Sequence, residues 1–92
     1  MQTIGEVIRV TIEDRAVDFE EAKDLAKQTA RQRCADPMLL SWYDGTTGTG
    51  YPNLECGRSD KPAWIVYAES RGGNLTVDFN DGRYLFYYLM LP

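Results

Sequence analysis

The sequence predicts an α+β domain in which one amphipathic helix packs on an antiparallel-rich sheet. Two observations carry this prediction: helical spacing of apolar residues over 17–33, and period-two alternation interrupted by glycine turns over 62–91. The predicted element order is β-α-β-β-β-β, and its last three strands form a C-terminal meander. A length of 92 residues is typical of one domain, so we expect residues 1–92 to fold as a single unit.

The first two predicted elements are a strand and a helix. Alternating apolar residues over 4–13 indicate a half-buried strand. Asp18 has the chemistry of a helix N-cap, and Glu21 stands three residues later, as in a capping box. An apolar stripe at helical spacing follows: Phe19, Ala22, Leu25, Ala26 and Ala30. The residue before Pro37 disfavours helical geometry, so the helix predicted over 17–33 ends before it.

The pattern of residues 62–91 predicts three strands joined by two tight turns. Gly72-Gly73 and Asp81-Gly82 suit hairpin turns, which need positive φ. Centring a turn on Asp81-Gly82 fixes a register with three apolar pairs: Phe79 opposite Tyr84, Val77 opposite Phe86, and Leu75 opposite Tyr88. Because opposed residues share a face, these pairs define the side that we expect the helix to cover.

The opposite face of this predicted meander is also apolar. It carries five residues that are candidates for an interface: Ile65, Tyr67, Leu85, Tyr87 and Leu89. One helix covers only one side of a sheet, so this second face needs other cover. Two alternatives remain open at this point, namely contact with a protein partner or a second copy, and a long loop that folds over the face.

That long loop follows a second strand predicted over 38–44 and spans residues 44–61. It exceeds the usual length of structureless connections, which indicates a functional or mobile segment. Its glycine run lacks the Lys and Ser or Thr of a phosphate loop, and no helix is predicted directly after it. The side chains that offer ligand chemistry here are Asp44, Tyr51, Glu55, Cys56 and Asp60. Trp42 and Trp64, which flank the loop, are expected to be core residues of neighbouring strands.

Composition excludes several classes of function. Ten Lys and Arg stand against 14 Asp and Glu, for a net charge of −4, and there is no basic run. Nucleic acids and anionic membranes are held by clustered positive charge, so we expect neither as a partner. There is no histidine, and the spacing of Cys34 and Cys56 matches no zinc pattern. The sequence assigns no catalytic residue, metal ligand or cofactor.

The N-terminal ten residues carry Glu6 and Arg9 and lack an apolar targeting segment. We therefore expect a cytoplasmic protein with free thiols. The favoured function is a small protein-interaction or ligand-binding module that self-associates, as a homodimer for example, through the second sheet face. The alternative is a small enzyme, or an anion- or metal-binding protein, that uses the polar loop over 44–61. The absence of a catalytic motif favours the first.

Overall fold

The computed structural model describes residues 2–53 and 61–91 and confirms an α+β architecture, with one sheet of five strands and two helices. The elements in chain order are β1 (Glu6–Val10), α1 (Phe19–Arg31), β2 (Met38–Asp44), β3 (Thr49–Tyr51), α2 (Ala63–Ser70), β4 (Leu75–Phe79) and β5 (Tyr84–Leu89). Their order across the sheet is β1-β4-β5-β2-β3. Strand β1 runs parallel to β4, and the other neighbouring pairs are antiparallel. Neither helix in these two ranges is long and apolar enough to cross a membrane.

Helix α1 covers the first face of the sheet. The Asp18 carboxylate accepts a hydrogen bond of 2.8 Å from the Glu21 amide, which satisfies one of the free donors in the first turn. The helix turns Ala22, Ala26 and Ala30 toward the sheet, and all three are fully buried. Facing them are the six residues whose register was predicted, and the predicted pairs of β4 with β5 are confirmed: Leu75 with Tyr88, Val77 with Phe86, and Phe79 with Tyr84.

The prediction of a strand over residues 62–70 is wrong, because this segment forms helix α2. An eight-residue apolar segment fits either periodicity, and only the tertiary context decides between them. Gly72 lies at φ +81° and its amide donates to the Glu69 carbonyl at 3.1 Å, so it ends a helix rather than turning a hairpin. The predicted three-stranded meander is therefore a two-stranded hairpin, and the observed order is β-α-β-β-α-β-β.

Helix α2 covers the second face of the sheet, so the prediction of a single helix is also wrong, and α2 provides the cover that this face was expected to need. Of the predicted interface residues, Ile65, Leu85 and Tyr87 are buried in a second core cluster. Tyr67 and Leu89 are partly buried and pack against the same cluster. The apolar character that suggested an interface is the character of a core that lies between α2 and the sheet.

The loop predicted over 44–61 is not structureless in its first part. Strand β3 pairs with β2, and the turn between them is tied by the Asp44 carboxylate, which accepts from the amide and the hydroxyl of Thr46 at 2.9 and 2.6 Å. This is an Asx-type turn. The candidates Glu55, Cys56 and Asp60 lie outside the described residues.

A bulge in β2 decides which of its side chains face α1. The register with β5 shifts between Leu39 and Ser41, so the side chains of Leu40 and Ser41 both lie on the second face of the sheet. The Ser41 hydroxyl donates to the Trp64 carbonyl of α2 at 2.8 Å. As a consequence, Leu39 and Trp42 both lie on the first face, against the core beneath α1.

Candidate functional site

A surface groove of about 370 Å³ lies between α1 and β2 on the first face of the sheet. Its lining residues are Lys23, Asp24, Lys27, Pro37, Leu39 and Tyr88. The groove exists because α1 packs over β4 and β5 and leaves β2 beside it. Its volume falls within the range of small-molecule sites, and its lining combines apolar walls with a few polar groups.

Two lysines stand on the helical wall of this groove. Lys23 and Lys27 are four residues apart in α1, so they project from the same side of the helix. Among the described residues, neither ammonium group has an ion-pair or hydrogen-bond partner. Four other basic side chains do form ion pairs: Arg9, Arg15, Arg33 and Lys61. With Asp24 also in the lining, the groove carries a net positive charge in a chain that is acidic as a whole.

Tyr88 is the fourth polar residue in the lining of the groove. Tyr84 and Tyr87 donate their hydroxyls to the carbonyls of Val17 and Gln2, at 3.0 and 2.7 Å. The Tyr88 hydroxyl has no such partner within the described residues, and its oxygen is accessible to solvent although Tyr88 as a whole is only 2% exposed. Burial raises the pKa of Tyr88 to about 12, so the phenol stays protonated at neutral pH and can act as a hydrogen-bond donor.

In the Tyr88→Phe variant, the free energy of unfolding is expected to fall less steeply between pH 10 and pH 12 than in the wild type. The unfolded chain releases the phenol proton near pH 10, whereas the folded chain holds it to about pH 12. The stabilising effect of the protonated phenol is therefore complete below pH 10, and it is lost as the pH rises from 10 to 12. At roughly 1.4 kcal/mol per pKa unit, the contribution of Tyr88 to the free energy of unfolding falls by about 3 kcal/mol over this range.

Urea unfolding at several values between pH 8 and 12 measures this difference. The Tyr88→Phe variant retains the part of the slope that comes from Tyr87, whose pKa is also raised, first by burial and then by the charges of Asp78 and Tyr43. Parallel pH profiles for the wild type and the variant would contradict the assignment.

An aromatic stack lies on the first face of the sheet, outside the lining of the groove. Phe19 of α1 contacts Trp42 with ring centroids 4.6 Å apart, and Trp42 stacks on Tyr51 at 6.0 Å with an interplanar angle of 21°. Trp42 and Tyr51 are direct partners in the pairing of β2 with β3. The stack ends in an exposed ring, since Tyr51 is 57% exposed.

A buried carboxylate on the second face serves the structure rather than a site. One oxygen of Asp78 accepts from the Gly82 amide at 2.7 Å and so anchors the turn between β4 and β5. Its other oxygen has no hydrogen-bond partner in the described part of the chain and lies 3.9 Å from Arg9 Nε. The side chain is 0% exposed, so no ligand reaches it in this conformation. No three acidic or cysteine residues among those described converge on a metal position.

Of the predicted loop candidates, the structure describes Asp44 and Tyr51, and neither lines the groove. The Asp44 carboxylate accepts a hydrogen bond from Thr46 within the turn that follows β2, and Tyr51 lies at the outer end of the aromatic stack. Sequence reasoning missed Lys23, Lys27 and Tyr88, because helix-surface lysines and a strand tyrosine are typical of a solvated face and a core. The available signal was the spacing of Lys23 and Lys27 by four residues, which places both on one side of the predicted helix.

Comparison with known proteins identifies relatives without a described activity. Residues 5–88 match the family model "Domain of unknown function (DUF5619)". An uncharacterised protein of Archaeoglobus fulgidus is 37% identical over 83 residues, which cover 90% of this chain and 87% of that protein. The crystal structure of protein AF1514 from Archaeoglobus fulgidus superposes with a TM-score of 0.82 and 36% identity, and the match covers 97% of this chain and 98% of that one.

Proposed function

This chain belongs to the DUF5619 family, and we propose that it is a ligand-binding module that holds a small organic anion in the groove between α1 and β2. The observation that carries the proposal is that three side chains whose donors bond no described residue line one groove, Lys23, Lys27 and Tyr88, against the single carboxylate of Asp24. Donors without a protein partner are available to a ligand without first breaking an internal bond.

The chemistry of the groove favours an anion with a carbon skeleton. Lysine binds phosphate and carboxylate groups as a mobile point charge on a flexible stem. Tyr88 also lines the groove, and its protonated hydroxyl is a directional donor. Pro37 and Leu39 offer apolar surface to the uncharged part of the ligand. This arrangement supports binding of an anion, so the proposal is a binding protein.

Substitution of Lys27 by Gln is expected to weaken anion binding by about two- to fivefold, the effect of losing one exposed charge pair. The probe is inorganic phosphate, titrated while amide chemical shifts are recorded by NMR. We expect saturable shifts that are confined to the groove-lining residues of α1, β2 and β5 in the wild type.

The matched control is Arg31→Gln. Arg31 lies one turn further along α1, also has no ion pair within the described residues, and does not line the groove. Both variants therefore remove one positive charge from the same helix, and only Lys27→Gln removes it from the site. Equal weakening by the two substitutions, or shifts spread over the whole surface, would count against the proposal.

A further inference from the structure

We infer that the ligand is a free dicarboxylic α-amino acid, with one carboxylate at each lysine of the groove and its ammonium group at Asp24. This inference rests on the proposed function, because it names the ligand class of the same groove. The lining carries two positive charges, on Lys23 and Lys27, and one negative charge, on Asp24. A dicarboxylic amino acid carries the complementary set of two carboxylates and one ammonium group, so every charge in the lining gains a partner of opposite sign.

The three charged groups of the groove do not neutralise one another. Asp24 stands between the two lysines in the sequence, yet its carboxylate pairs with neither ammonium group, and none of the three groups bonds another described residue. A ligand therefore binds them without first breaking an internal contact. A dianion without a cation would leave the Asp24 carboxylate beside a like charge, which selects for a ligand that also carries an ammonium group.

The geometry of α1 sets the order of these charges along the groove. Lys23 and Asp24 are consecutive and lie about 1.5 Å apart along the helix axis, whereas Lys27 lies about 6 Å beyond Lys23. The α-carboxylate and the ammonium group of an amino acid are attached to one carbon atom, so they match the neighbouring pair of Lys23 and Asp24. The side-chain carboxylate, at the other end of the ligand, then matches Lys27.

The sheet side of the groove suits the uncharged part of such a ligand. Leu39 and Tyr88 are direct partners in the pairing of β2 with β5, and both line the groove together with Pro37. Leu39 and Pro37 offer apolar surface to the methylene groups, and the Tyr88 hydroxyl can donate to a carboxylate. A peptide bond removes the charge of either the ammonium group or the α-carboxylate, so the free amino acid is the form that matches all three charges.

The test compares L-glutamate with two ligands that each lack one charge: glutarate, which has no ammonium group, and L-glutamine, whose side-chain amide is neutral. We expect the wild type to bind glutamate about two- to fivefold more tightly than either, as one exposed charge pair provides. In Asp24→Asn the preference over glutarate is expected to fall to about one, and glutarate itself should bind more tightly because a like charge is gone. In Lys27→Gln the preference over glutamine is expected to fall to about one. NMR titration of the amide chemical shifts measures each affinity.

The matched control for Asp24→Asn is Glu20→Gln. Glu20 lies one turn before Asp24 in α1, has no ion pair within the described residues and does not line the groove. Both variants remove one negative charge from the same helix, and only Asp24→Asn removes it from the site. Glu20→Gln is therefore expected to keep the wild-type preference for glutamate over glutarate.

The outcomes separate the two proposals. Equal affinity for glutamate and glutarate, with both weakened by Lys27→Gln, overturns the amino-acid inference and supports the anion groove. A preference over glutarate that survives Asp24→Asn, or that Glu20→Gln removes equally, also overturns the inference. Binding of glutamate and glutarate that ignores Lys27→Gln overturns both proposals. An absence of saturable glutamate binding overturns the inference alone if inorganic phosphate still binds in the groove, and overturns both proposals if it does not.

Discussion

Substitution of Tyr87 by Glu is expected to destabilise the folded chain by more than about 4 kcal/mol. Tyr87 is 0% exposed in β5, and its hydroxyl donates to the Gln2 carbonyl at 2.7 Å. The substitution removes the ring from the core beneath α2 and leaves that carbonyl without its donor. It also buries a carboxylate near Asp78, whose charge already contributes to the raised pKa of Tyr87. An unpaired charge in such a position is costly.

Urea unfolding followed by circular dichroism measures the loss. Met38→Glu is the control, because it introduces the same charge at an apolar position of β2 that is 54% exposed, and its effect should stay within about 0.5 kcal/mol. Tyr87→Phe removes only the hydroxyl and should cost about 1 kcal/mol. A Tyr87→Glu protein with the wild-type midpoint would mean that the second face is not buried beneath α2.

The hairpin of β4 and β5 is the part of the fold that the sequence determines most directly. Alternating apolar residues on both sides of Asp81-Gly82 leave one register that keeps the two faces distinct, and that register is observed. Asn80, Asp81 and Gly82 all adopt positive φ, the conformation that these residue types tolerate. The residues of the turn and the alternation of the strands indicate the same register, so the hairpin can be predicted without knowledge of the rest of the fold.

The segment of α2 shows where local information ends. The apolar residues Trp64, Ile65 and Ala68 fit one face of a helix, yet the same stretch also contains the alternation of a strand. What decides is the second face of the sheet, where Leu85 and Tyr87 need an apolar layer against them. The need for cover could be derived from the sequence, whereas the choice of these eight residues to provide it could not.

The groove was beyond prediction for a different reason. Strict alternation along β2 places Leu40 and Trp42 on one face, whereas the bulge brings Leu39 and Trp42 to the same face. A one-residue bulge reverses the parity of every later side chain, and the sequence contains no marker for its position. The groove also depends on where α1 lies across the sheet, which is set by the packing of its small alanine stripe.

The second large effect is expected from Gly5→Ala, which should destabilise the chain by more than about 3 kcal/mol. Gly5 has φ +60°, and a Cβ atom there would lie 2.1 Å from the Asn74 carbonyl oxygen. The backbone on both sides is fixed, because Glu6 donates to that same carbonyl at 3.0 Å and Ile4 bonds the Thr76 hydroxyl through its amide and its carbonyl. Relief of the clash therefore requires separating β1 from β4.

Gly48→Ala isolates the steric part of this effect. Gly48 also has positive φ, at +73°, but no atom lies within 4 Å of the position that a methyl group would occupy there. Its substitution should cost only the left-handed backbone strain of about 1 to 2 kcal/mol. Urea unfolding of both variants gives the difference directly. If the two lost equal stability, the close approach of Gly5 to Asn74 would not be a constraint. A larger loss in Gly5→Ala means that the parallel pairing of β1 with β4 depends on a residue without a side chain at this position.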